Sequence, residues 1–104
     1  MSAQNNKIEI HNALSPGHVQ RVDRVKYEAM RKALMSVLPE KSPGITVADA
    51  KLQLLPLLSD THFPGGAKAG WWLKAVQLNL EAEGIIYREN TKPLRLVSKR
   101  ISDA

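Results

Sequence analysis

Pro64-Gly65-Gly66-Ala67-Lys68 is the string in this sequence best suited to holding an anion. Two glycines ahead of a helix let the backbone turn free N–H groups toward a negative charge. The helix dipole adds positive potential there, and Lys68 supplies a formal charge. The same string also reads as a tight turn into a helix, which needs no ligand. It is not a nucleotide-binding loop, because Gly-x-x-x-x-Gly-Lys-Ser/Thr is absent. Arg88, Lys92 and Arg95 form a second constellation on a predicted two-stranded ribbon, with Arg88 and Arg95 expected to share its solvent face. Three cations there suit phosphate or minor-groove contact. They equally suit an edge ribbon that must avoid pairing with other chains.

Residues for catalysis are scarce. His11, His18 and His62 are the only histidines, and none pairs with another histidine or a carboxylate at helical metal-ligand spacing. Ser15 lies near His18, but a serine followed by Pro16-Gly17 lacks the strand-to-helix elbow that activates a nucleophile. Glu81 and Glu83 fall on different faces of a helix and do not form a paired acid and base. With no cysteine in the chain, thiol nucleophiles, thiolate metal sites and disulfides are excluded. The expectation is a protein that is not an enzyme, with no metal and no small-molecule cofactor.

The elements that position these residues follow from periodicity. Lys7-Ile8-Glu9-Ile10-His11 alternates as a short strand does, and Ser15-Pro16-Gly17 signals a turn, so residues 1–22 read as an arm of loop and one strand. Asp23 is a candidate N-cap for a helix whose Tyr27, Met30, Leu34, Val37 and Leu38 recur at helical spacing until Pro39 stops it. Ile45 is placed to add a single sheet pairing. Thr46-Val47-Ala48-Asp49 is close to a capping box and opens a second helix with Val47, Ala50, Leu54, Leu57 and Leu58 as its stripe. Pro56 should kink or end it. A third helix is predicted from about Ala67 to Glu83, with Gly84 as its left-handed stop. Ile85–Glu89 and Leu94–Val97 then form a hairpin around Asn90-Thr91-Lys92-Pro93.

This order resembles the winged helix-turn-helix superfamily over residues 23–98. The resemblance places the third helix in the recognition position and makes the 85–97 hairpin the wing. The expected fold class is α+β, mainly α: a winged-helix-like three-helix core, an N-terminal arm over 1–22 and a tail over 99–104. Pro16-Gly17, Arg21-Val22-Asp23, Lys26-Tyr27-Glu28-Ala29-Met30, Phe63-Pro64-Gly65-Gly66, Gly70-Trp71-Trp72 and Pro93-Leu94-Arg95 are similar to strings in a small family of uncharacterised bacterial proteins, which implies a cytoplasmic setting but no residue roles.

The third helix decides between partners. Ala69, Trp72, Leu73, Val76 and Leu80 share one face, assigned to the core. Lys74, Gln77 and Glu81 make a polar face, while Trp71, Ala75, Leu78 and Ala82 form a second apolar stripe. That stripe demands a cover from the arm, the wing or another protein. Two readings follow. In the first, double-stranded DNA lies against Gly65, Gly66, Lys68, Lys74, Arg88, Lys92 and Arg95, with Gln77 touching a base. In the second, Trp71, Ala75 and Leu78 bind a second copy or another protein.

Length and charge fit either reading. The 104 residues suit one domain, and 43% hydrophobic with 24% charged residues marks an ordinary globule. The net charge of +5 favours acidic partners. Its distribution is uneven, with seven basic and three acidic residues between positions 66 and 100. No apolar run reaches the roughly 18 residues of a membrane span, and the polar start does not read as a signal peptide. No membrane partner is expected.

Overall fold

A computed structural model describes residues 6–15 and 17–99. Residues 1–5, Pro16 and the tail beyond Lys99 lie outside the described residues. Among the described residues the fold is α+β, with three α-helices and two small sheets.

The N-terminal segment is more ordered than its sequence suggests. Strand β1 (Lys7–His11) pairs antiparallel with β2 (Val19–Asp23), Ile8 opposite Val22 and Ile10 opposite Gln20. Alternation puts Ile8, Ile10 and Val22 on one face, and Ile10 and Val22 are buried in the main core. Val19, Gln20 and Arg21 are exposed, so β2 buries a single large side chain and carries no alternating pattern for sequence reading to find. The segment expected to be a loop is therefore half of a hairpin.

Helix α1 (Arg24–Val37) starts where the cap predicts: the Asp23 carboxylate accepts the Lys26 N–H at 3.1 Å. Tyr27, Met30, Ala33 and Leu34 face inward, and the chain leaves the helix at Leu38, ahead of Pro39. Strand β3 (Ile45–Thr46) leads directly into α2 (Val47–Leu54), capped by the Thr46 hydroxyl accepting the Asp49 N–H at 3.2 Å. Pro56 ends α2 rather than kinking it. A 3₁₀ turn over Leu55–Leu57 follows, and its tighter winding carries Leu57 off the expected stripe into solvent, 57% exposed.

Helix α3 (Ala69–Ala82) begins two residues later than predicted. It closes in a Schellman motif: Gly84, at φ 76°, donates to the Glu81 carbonyl, and Ile85 donates to the Leu80 carbonyl at 2.9 Å. That second bond places Ile85 in the helix stop, so strand β4 runs Ile86–Glu89. Its partner β5 (Arg95–Ser98) lies in the middle of a three-stranded sheet of order β3-β5-β4. All five expected core residues of α3 are buried, and they meet α1, α2 and Leu96 in one core.

Val97 points away from Leu96 yet is also fully buried. The turn after α1 folds over that face. Ser98 donates its N–H to the Pro39 carbonyl at 2.8 Å, and a Cβ added to Gly44 would come within 2.8 Å of Val97 Cγ2.

Candidate binding site on the third helix

The glycine corner does not present free donors. Gly65 donates its N–H to the Asp60 carboxylate at 3.2 Å, Gly66 to the Phe63 carbonyl at 2.8 Å, and Ala67 to the Pro64 carbonyl at 3.0 Å. Both glycines sit at positive φ, 61° and 75°, which explains their presence by backbone shape alone. Lys68 is exposed, in the left-handed region just before α3 rather than in its first turn. The anion cradle expected from Gly65 and Gly66 is corrected to a self-bonded turn.

The ribbon cations separate. Register pairs Arg88 with Leu96 and Glu89 with Arg95, so Arg88 and Arg95 stand on opposite faces of the hairpin, not on a shared solvent face. Arg88 reaches back to α3, its Nε and Nη2 donating to Glu81 at 2.9 and 3.0 Å. That hydrogen bond raises the guanidinium pKa above its ordinary value. Arg95 donates Nη1 to the Gly44 carbonyl at 3.0 Å. Lys92 stays exposed at the turn.

On α3, Lys74 is exposed, whereas Gln77 is buried with its Nε2 donating to Glu81 at 2.8 Å. Gln77 is therefore not aimed at a base edge, and the expectation that it reads one is corrected. The second apolar stripe is covered within the chain only at its middle, where Leu78 is buried and Ala75 half-buried, while Trp71 and Ala82 at its ends are exposed. Leu78 is 6% exposed and its carbonyl accepts the Ala13 N–H at 3.3 Å, while Ile10, His11, Asn12, His18 and Gln20 gather beside Leu78 and Ala75. Trp71 alone among the three interface candidates remains open, at 49% exposure. It stands edge-on to Trp72 at 5.0 Å between ring centroids, and Trp72 stands edge-on to Phe63 at 6.3 Å.

One cavity of about 350 Å³ joins Lys74, Gln77, Leu78 and Arg88 with residues the sequence reading did not select, chiefly Lys51 of α2 and Leu94. Lys51 was hidden because its role depends on Gly70: the bare α3 backbone lets the lysine lie across it, with Nζ 3.4 Å from where a Cβ would be. No local pattern links a lysine to a glycine nineteen residues away.

His62 has a local serine partner. Ser59 Oγ lies 3.1 Å from His62 Nδ1, but it also accepts the His62 N–H in an exposed local turn. Among the described residues, no group of three or more His, Asp or Glu side chains could hold a metal ion. No helix among them is long and apolar enough to cross a membrane.

A family model matches residues 7–96, from the first residue of β1 to Leu96 in β5. The chain belongs to DUF6958, a family of unknown function. No curated protein and no solved structure matches it. The DUF6958 match takes in the N-terminal hairpin together with the three helices, in keeping with Ile10 and Val22 sharing their core.

Proposed function

We propose that this DUF6958 member is a non-catalytic protein-interaction module on a winged-helix-like frame. Support for the frame comes from element order α1-β3-α2-α3-β4-β5 and from the central place of β5 between β3 and β4. The observation that carries the interaction reading is Trp71. An aromatic ring half open to solvent, held edge-on by Trp72, which Phe63 holds in turn, is a pre-ordered anchor. It loses little side-chain freedom when a partner covers it. Aromatic anchors of this kind commonly dominate interface energy.

Quantitative capture from a cell lysate, alongside light scattering over a concentration series, compares wild type with Trp71→Ala. The expected result is one association, with itself or with another protein, that the variant loses. The reading fails if both proteins are monomeric and capture the same set.

DNA binding through phosphates is the second reading, favoured by exposed Lys68 just before α3, Lys74 on it and Lys92 at the turn of the C-terminal hairpin. With Gln77 occupied and the loop at Ala13 lying on Leu78, such binding rests on charge and not on base readout. Anisotropy with a random duplex should then show affinity falling steeply with salt. Absence of binding at low salt removes this reading.

A further inference from the structure

The cavity between α2, α3 and the C-terminal hairpin is used by neither reading as a pocket. Its volume of about 350 Å³ lies within the range of small-molecule sites, roughly 300–1,000 Å³. Its floor is apolar, built from Val47, Leu73, Leu78 and Leu94. Its cations come from three separate elements: Lys51 on α2, Lys74 on α3 and Arg88 on β4. Among the described residues, no carboxylate lines it. The nearby acid, Glu81, is already engaged by Arg88 and Gln77. Arg88 spends Nε and one Nη2 donor on that carboxylate, and a guanidinium has five N–H donors, so it is oriented while keeping donors to offer.

We propose that this groove binds a small organic anion, a carboxylate carrying an apolar tail. The cations supply attraction for the charged end, and the leucine and valine floor supplies burial for the tail. Inorganic phosphate or sulfate would gain nothing from that floor, and a DNA backbone has no apolar group to place on it. Gly70 keeps the groove open, because any longer side chain there would project beside Lys51 into the cavity. The proposal does not depend on Trp71, which does not line the groove.

Octanoate is a suitable probe, with octanol as its uncharged counterpart, read by amide NMR shifts on the full chain. Saturable octanoate shifts are expected at Val47, Lys51, Gly70, Lys74 and Leu94, with octanol binding at least about tenfold more weakly. The Lys51→Gln/Lys74→Gln variant should weaken octanoate by a similar factor and leave octanol unchanged. Gly70→Leu should abolish binding of both. Its Cβ meets Lys51 only at ordinary contact distance, and leucine favours a helix over glycine, so this variant should fold, and its NMR spectrum checks that. Trp71→Ala should bind octanoate as wild type does, whatever its effect on protein partners. Shifts that do not saturate at millimolar octanoate, equal binding of octanol, or shifts confined to the surroundings of Trp71 would each overturn the proposal.

Discussion

The side-chain oxygen of Asn79 accepts the main-chain N–H of His11 at 2.7 Å, joining residues 68 apart in sequence. The same amide donates Nδ2 to the Tyr27 hydroxyl at 2.6 Å, and Asn79 is 1% exposed. One side chain in α3 thus fastens β1 and α1. Burial pushes the Tyr27 phenol above its ordinary pKa, as expected for a hydroxyl held in this interior.

Asn79→Leu keeps the approximate volume but strands the His11 N–H and removes one partner of the Tyr27 hydroxyl, which Arg31 also contacts. An unsatisfied buried group costs about 1–3 kcal/mol, so a loss of that size in urea unfolding is expected. Amide exchange at His11 should accelerate more than exchange in α2. Equal acceleration throughout would mean that Asn79 fastens nothing in particular.

The adjacent tryptophans should behave oppositely. Trp72 is 8% exposed and packs on Phe63, so Trp72→Ala should cost about 3–5 kcal/mol. Trp71→Ala should cost less than about 1 kcal/mol, because its ring is half in water. Denaturation midpoints check both, and acrylamide should quench Trp71 far more readily than Trp72.

Glu81 and Arg88 form a two-pronged ion pair between α3 and β4, partly open to solvent. A double-mutant cycle through Glu81→Ala and Arg88→Ala should return a coupling of about 1 kcal/mol, reduced at high salt. No coupling would mean that the pair neither fastens the hairpin nor orients Arg88.

Acid sensitivity should centre on Glu89. Its carboxylate accepts a hydrogen bond from the Ser42 hydroxyl and another from the Gly44 N–H at 2.8 Å, with Arg95 nearby. These contacts, the Ser42 bond foremost, hold its pKa below the ordinary glutamate value. The folded state therefore releases this proton more readily than the unfolded chain. The resulting stability is complete above the ordinary glutamate pKa and disappears as pH falls through the lowered folded value. Thermal melts of wild type and Glu89→Gln should differ near neutrality and converge on acidification. A constant difference across that interval would contradict the assignment.

Much of the scaffold was legible in the sequence because its signals are local. Asp23 and Thr46 mark helix starts by hydrogen bonds reaching three residues ahead, Pro39 and Gly84 mark stops, and Ala69, Trp72, Leu73, Val76 and Leu80 declare a buried face by spacing. Strand β2 escaped notice because only Val22 and its neighbour Asp23 leave solvent. The site was less legible. Gln77 reads as a surface residue until Arg88 draws Glu81 against it, and Leu78 reads as an unmet apolar position until the hairpin closes over it.

By itself the sequence determined the order of three helices and a C-terminal hairpin, with their ends placed to within a few residues, since caps, prolines and periodicity act over that range. Tertiary structure alone decided which side chains are available. Strand register sent Arg88 and Arg95 to opposite faces, the N-terminal hairpin covered Leu78 and left Trp71 open, and Gly70 made room for Lys51 at the groove. Availability depends on contacts between residues far apart in the chain, and neither composition nor spacing records which surfaces those contacts consume.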